Sequence, residues 1–223
     1  MFGGASSPKR IFAIIGLAAL FVAGCGATRN LRPLGDGNSA LHFSLGGPIV
    51  TIGVPIPVPY SELGYSYGLG NRWNLHGSFQ PTAALYKTAA FETGAAAELL
   101  EGAHGWPEIM FDMRMLFVAG SGGMVAFPII TPVFSYSLKR WTPYLGIDSL
   151  FQVHDNDRPL LPKVYSPFGG ARVRAWDNWN FGLELKWQAI NHDLNFETVK
   201  HPRSAGTSYG VLAPYIYVGY EFK

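Results

Sequence analysis

From residue 40 to residue 222 apolar and polar side chains exchange places with a period of two, and almost no helical period appears. Such alternation marks strands that turn one face to an apolar medium and the other to a polar one. Trp179, Phe181, Leu183, Leu185, Trp187 and Ala189 share one face, against Asn180, Gly182, Glu184, Lys186 and Gln188. Glu108 to Phe117 sets Ile109, Phe111, Met113, Met115 and Phe117 against Glu108, Asp112 and Arg114. The same pattern predicts strands over Tyr60–Leu69, Arg72–Leu85, Trp141–Val153 and Ser208–Phe222, and weaker ones over Thr88–Leu99 and Tyr165–Trp176. Met124–Leu138 is apolar on both faces, with Ser135 and Ser137 assigning its odd positions to the polar side. Ala40–Val54 is broken at Gly46-Gly47-Pro48, where a bulge or kink is expected. The count is ten strands, with eight as the alternative.

Three reversals, at Gly70-Asn71-Arg72, Lys139-Arg140 and Asp177-Asn178, each lead into a strand that opens on a tryptophan. The connections on the opposite side, 154–164 and 191–207, are longer and more polar. This arrangement resembles bacterial outer-membrane β-barrels, in which short turns face the periplasm and aromatic girdles mark the interfaces. The resemblance implies an all-β fold over 40–223: a closed antiparallel up-and-down transmembrane β-barrel, with Trp73, Trp141 and Trp179 in the inner girdle. The last strand ends on Phe222, similar to the aromatic terminal strand of that family, although Lys223 follows it.

Alternation alone fits a soluble lipocalin-like carrier as well, with its apolar face inside. The inventory of side chains separates the two. The polar faces carry Glu62, Glu92, Asp112, Arg114, Asp148, Arg172, Arg174, Glu184 and Lys186, too few charges for a whole solvent surface and ample for a narrow lumen. The apolar faces are crowded with aromatics that a small interior could not hold. They also lack the Arg or Lys that would cost about 2–4 kcal/mol at mid-bilayer. Charged residues make up 14% of the chain, against roughly 25% in soluble domains.

Upstream, Lys9 and Arg10 precede the apolar run Ile11–Val22, which at 12 residues falls short of the roughly 20 that a membrane-spanning helix requires. The run closes on Val22-Ala23-Gly24-Cys25, and Cys25 is the only cysteine of the 223 residues. The quartet resembles the lipobox of bacterial lipoproteins. That resemblance implies a signal helix and peptide over 1–24, cleavage before Cys25, and acylation (palmitate among the acyl groups) of its thiol and new amino terminus. It also implies lipoprotein-sorting and barrel-assembly machinery as partners, with membrane lipid as the anchor. Gly26 rather than aspartate follows the cysteine, which favours the outer membrane. Residues 25–39 lack periodicity and read as a lipidated linker. Without Lys9 and Arg10 the 17 basic residues fall to 15, equal to the 15 acidic ones, which leaves no electrostatic case for nucleic acid.

Function is narrowed less. The expected roles are structural, adhesive, or passage of a small solute through a charged, mostly plugged lumen. A three-residue turn at 177–179 would set Arg172 opposite Glu184, so that lumen acids and bases neutralise one another. A hydrolase with rim residues is the alternative. His154 and Asp155, and His192 and Asp193, stand at strand ends on the long-loop side, which is similar to outer-membrane aspartyl proteases in strand count and an Asp/His rim alone. No phosphate loop, nucleophile elbow, zinc spacing or dinucleotide fingerprint occurs, so no cofactor or metal is expected.

Overall fold

The computed structural model describes residues 28–52, 54–102, 105–121, 123–151, 164–193 and 209–223. Within them the chain forms β1 (Ser39–Gly46), β2 (Ile49–Ile52), β3 (Val54–Pro57), β4 (Tyr60–Leu69) and β5 (Trp73–Phe79), then a short 3-10 helix (Pro81–Tyr86). There follow β6 (Ala89–Leu100), β7 (Glu108–Gly120), β8 (Gly123–Ser135), β9 (Trp141–Leu150), β10 (Val164–Arg174), β11 (Trp179–Asp193) and β12 (Tyr209–Phe222). Ten of the strands close into an antiparallel barrel in the order β1-β12-β11-β10-β9-β8-β7-β6-β5-β4. Closure runs through β1, which pairs with β12 from Ser39↔Phe222 to Gly46↔Tyr215 and with β4 from Ser39↔Tyr67 to Gly46↔Tyr60. The barrel sheet has no open edge, which is what an apolar surrounding demands of a β-structure.

The expected count of ten is met, and the departures are local. The segment 40–54 is not one bent strand: β1 ends at Gly46, and β2 and β3 form a separate two-stranded hairpin from Ile49↔Pro57 to Ile52↔Val54. The strand expected over 72–85 stops at Phe79, because Pro81 withholds a ladder donor and opens the 3-10 helix. Around 175–178 the pairing is Arg172↔Gly182 and Arg174↔Asn180, so Glu184 faces Gly170 and not Arg172. The reversal is centred one residue earlier than expected, closed by Ala175 N–H to Trp179 O at 3.1 Å and Trp179 N–H to Trp176 O at 3.3 Å. Because an antiparallel partner moves by two when the centre moves by one, each assigned face survives while the partners change.

Both ends of the sheet, Ser39 and Phe222, lie together at one end of the barrel, called here the near end. The near end also carries the connections 70–72, 101–107, 136–140 and 175–178. The far end carries the β2–β3 hairpin, the 3-10 helix, and the connections 121–122, 151–163 and 194–208. The outer surface is an apolar belt: Leu75, Tyr65, Met113, Leu145, Leu183, Leu185 and Ile216 are all exposed, Leu183 by 67%. Trp73, Trp141 and Trp179 each open a strand at the near end and point outward.

Candidate functional site

The inward positions divide the lumen into tiers. At the far end Tyr60, Ala90, Leu116, Val118, Phe127, Ile129, Leu150, Val164 and Val211 pack together, with Ala83 of the 3-10 helix inserted among them. Gln80 and Gln188 are buried at the same level. Below it the lumen turns ionic. The carboxylate of Asp148 (β9), with its side chain 3% exposed, accepts hydrogen bonds from Arg114 Nη2 (β7) at 2.7 Å, Lys186 Nζ (β11) at 2.8 Å and Thr131 Oγ1 (β8) at 2.6 Å. Arg114 also reaches Glu92 (β6) at 3.4 Å, and Lys186 lies 3.8 Å from Glu184 (β11). Glycines make room for these long side chains. A Cβ at Gly94, opposite Arg114, would stand 2.6 Å from the Cβ of that arginine.

The sixth ion of this island comes from outside the strands. Arg29 donates from Nη1 to Glu184 Oε2 at 3.3 Å and from Nη2 to Asp148 Oδ2 at 3.4 Å, while its guanidinium carbon lies 3.7 Å over the ring centre of Phe168. Tyr144 donates its hydroxyl to the same Glu184 oxygen at 3.0 Å. Three cations (Arg29, Arg114, Lys186) thus balance three carboxylates (Glu92, Asp148, Glu184). The balance matters because a buried charge without a partner costs several kcal/mol.

The segment that delivers Arg29 was expected to be a linker. From Thr28 onward it is lumen filling: Thr28, Arg29, Asn30 and Leu31 are all buried. Leu34 N–H donates to Asn74 Oδ1 at 2.9 Å, Asn74 Nδ2 donates to Arg32 O at 3.1 Å, and Arg32 donates to Thr142 Oγ1 at 3.3 Å. At the near rim Gly68 N–H donates to Asn38 O at 2.8 Å, and Gly35 O comes so close that a Cβ on Gly68 would lie 1.9 Å from it. The segment thus turns into the near mouth and runs up the lumen wall.

The nine lumen charges named from the sequence all project inward. Eight are buried; Arg174 is 41% exposed at the near mouth, 3.8 Å from Glu221. Glu62 lines a cavity with Arg29, Glu92 and Arg114 of the island. Asp112 lies 3.4 Å from His76 Nε2, which lines that cavity too. Arg172 lies over the Tyr217 ring at 3.8 Å, and Tyr217 in turn bonds His42 Nδ1 at 2.6 Å. The residue missed was Arg29. A signal was available: the nine named groups comprise five acids and four bases, one of them at the mouth, so a closed lumen called for another cation.

His154 and Asp155 lie outside the described residues, as does Cys25. His192 and Asp193 stand in β11 at its far end, where the Asp193 backbone pairs with Tyr209 beyond a register shift. Among the described residues no group of three or more His, Cys, Asp or Glu is arranged to hold a metal ion.

No protein-family model matches the sequence, and no curated protein matches it. Solved structures do. The chain is similar to the N-terminal β-barrel domain of Pseudomonas aeruginosa OprF at 10% identity and TM-score 0.37, covering 84% of this chain and 99% of that one. It is similar to the translocator domain of the autotransporter NalP from Neisseria meningitidis at 10% identity and TM-score 0.39, covering 96% and 98%. The outer membrane protein OprG from Pseudomonas aeruginosa aligns at 11% identity and TM-score 0.31, covering 85% and 99%.

Proposed function

We propose that the protein is an outer-membrane β-barrel lipoprotein, acylated at Cys25, with a closed lumen and a structural or adhesive role rather than that of an open pore. The observation that carries the reading is the inversion of a soluble protein's order: a closed barrel with leucines and aromatics outside and the strand charges Arg114, Asp148, Glu184 and Lys186 buried inside. A soluble lipocalin-like carrier would need the reverse, since its cavity is apolar and its exterior meets water. The near end then faces the periplasm, because Cys25 precedes β1, which begins there. Acyl chains at Cys25 serve as a second anchor beside the barrel itself. The reading against solute passage rests on the apolar far tier, where Leu116, Ile129 and Val211 pack together inside the barrel.

The test is extraction of Cys25→Ser from membranes with alkaline carbonate, alongside heat-modifiable migration in detergent. The variant is expected to stay in the membrane pellet and to migrate faster unboiled than boiled. Release into the supernatant would leave a lipid-tethered soluble protein instead.

A further inference from the structure

Of the six ions in the central island, five stand on strands and Arg29 is delivered by the entering segment. Its surroundings have the form of a receptor. Phe168 of β10 offers a ring face 3.7 Å from the guanidinium carbon, and Asp148 of β9 and Glu184 of β11 offer one carboxylate oxygen each at 3.4 and 3.3 Å. Lys186 Nζ shares the Asp148 oxygen at 2.8 Å but lies 5.7 Å from the ring centre, so the face of Phe168 is left to a flat, delocalised cation. The site is fully walled, with the side chains of Arg29 and Glu184 each 0% exposed. Without Arg29 the island keeps three carboxylates against two cations, so the vacated place carries a net negative charge.

We propose that the β9–β10–β11 wall is a binding site for guanidinium-bearing ligands, an arginine side chain or a small guanidine, and that Arg29 occupies it as a tethered ligand which acylation of Cys25 withdraws. The second half rests on the lipoprotein reading and follows from reach. Thr28 lies against Gly64, five residues up β4 from its near end at Leu69. At about 3.4 Å per residue and a tilt of roughly 35–45°, that is about 12–14 Å above the near rim. Three residues from Thr28 to Cys25 span at most about 11 Å. A cysteine held in the near leaflet must also pass around the barrel wall, so Thr28 and Arg29 cannot stay docked while Cys25 is anchored there.

Arg29→Ala of the full chain, in detergent micelles, tests the site. The midpoint of heat-modifiable unfolding is followed against low-millimolar methylguanidinium chloride, with sodium chloride at equal ionic strength as control. A saturable rise in the Arg29→Ala midpoint is expected, with no rise in Cys25→Ser, where Arg29 fills the site, and none in Arg29→Ala/Phe168→Leu. An Arg29→Ala chain that does not respond, or that responds no more than Cys25→Ser, overturns the site, as does failure to refold with and without the probe. The acylated chain, confirmed by intact mass, is expected to respond as Arg29→Ala does. A silent acylated chain beside a responsive Arg29→Ala overturns the withdrawal and leaves the site standing. A mass showing no acyl group overturns the lipoprotein reading and leaves the first experiment untouched.

Discussion

Asp148 is where the balance of the lumen can be weighed. Its carboxylate takes hydrogen bonds from Arg114 at 2.7 Å, Lys186 at 2.8 Å, Thr131 at 2.6 Å and Arg29 at 3.4 Å, with its side chain 3% exposed. Asp148→Asn keeps the shape, removes the charge, and turns a neutral island of three cations and three anions into one with a net charge of +1. Removing one partner of a buried ion pair costs about 3–5 kcal/mol. With three cations losing the same counter-ion, the upper part of that range is expected. At about 1.4 kcal/mol per tenfold, the folding equilibrium falls by roughly three to three and a half orders of magnitude. Urea unfolding in lipid vesicles, read by the fluorescence of the six tryptophans, measures it. Asp148→Asn/Lys186→Met restores neutrality, two cations against two anions, and is expected to regain more than half of the loss. If Asp148→Asn lies within about 1 kcal/mol of the parent, or if the two substitutions simply add, the island is not the coupled unit described here.

Leu183→Arg, on the outer face at mid-strand in β11, is expected to destabilise the barrel in vesicles by about 2–4 kcal/mol, whereas Trp179→Arg at the near end should lose about 0–1 kcal/mol; equal losses at the two depths would contradict a bilayer around the belt. Gly68→Val would drive a Cβ into Gly35 O, now placed 1.9 Å from that position. Trypsin is then expected to cut after Arg29, a bond that burial protects in the parent barrel; an unchanged digestion pattern would mean that the rim contact does not hold the segment.

The barrel was legible because its signal is local and repeated. Each strand displays its two faces by itself, and a one-residue error in the turn before Trp179 left Glu184 and Lys186 inside while changing their partners. The 3-10 helix was hidden because Ala83 and Leu85 continue the apolar spacing of β5 past a proline. What fills the lumen was not legible, for two different reasons. The segment 28–38 is held by backbone groups and by single side chains such as Asn74, whose partner lies 40 residues away in sequence, and such contacts leave no periodicity. The far tier breaks the polar-inside rule, since Leu116, Ile129 and Val211 face inward. There inward positions become apolar core, as in a small barrel whose interior side chains fill.

These two fillings differ in kind, and the difference decides what withdrawal of Arg29 can do. The near filling is a separate chain segment, tethered at β1 and held by a few hydrogen bonds, so it can leave as a unit. The far filling is made of strand side chains whose removal means unfolding the wall. Emptying the near half therefore makes a blind pocket open to one side, with Asp148, Glu184 and Phe168 in its wall and the Leu116–Ile129–Val211 tier as its floor. A pocket of that shape binds and does not conduct. Arg29→Ala in a planar bilayer is accordingly expected to stay electrically silent even where it responds to methylguanidinium. Steady unit currents from Arg29→Ala would show that the far tier does not seal the lumen, and would return the protein to the solute-passing barrels.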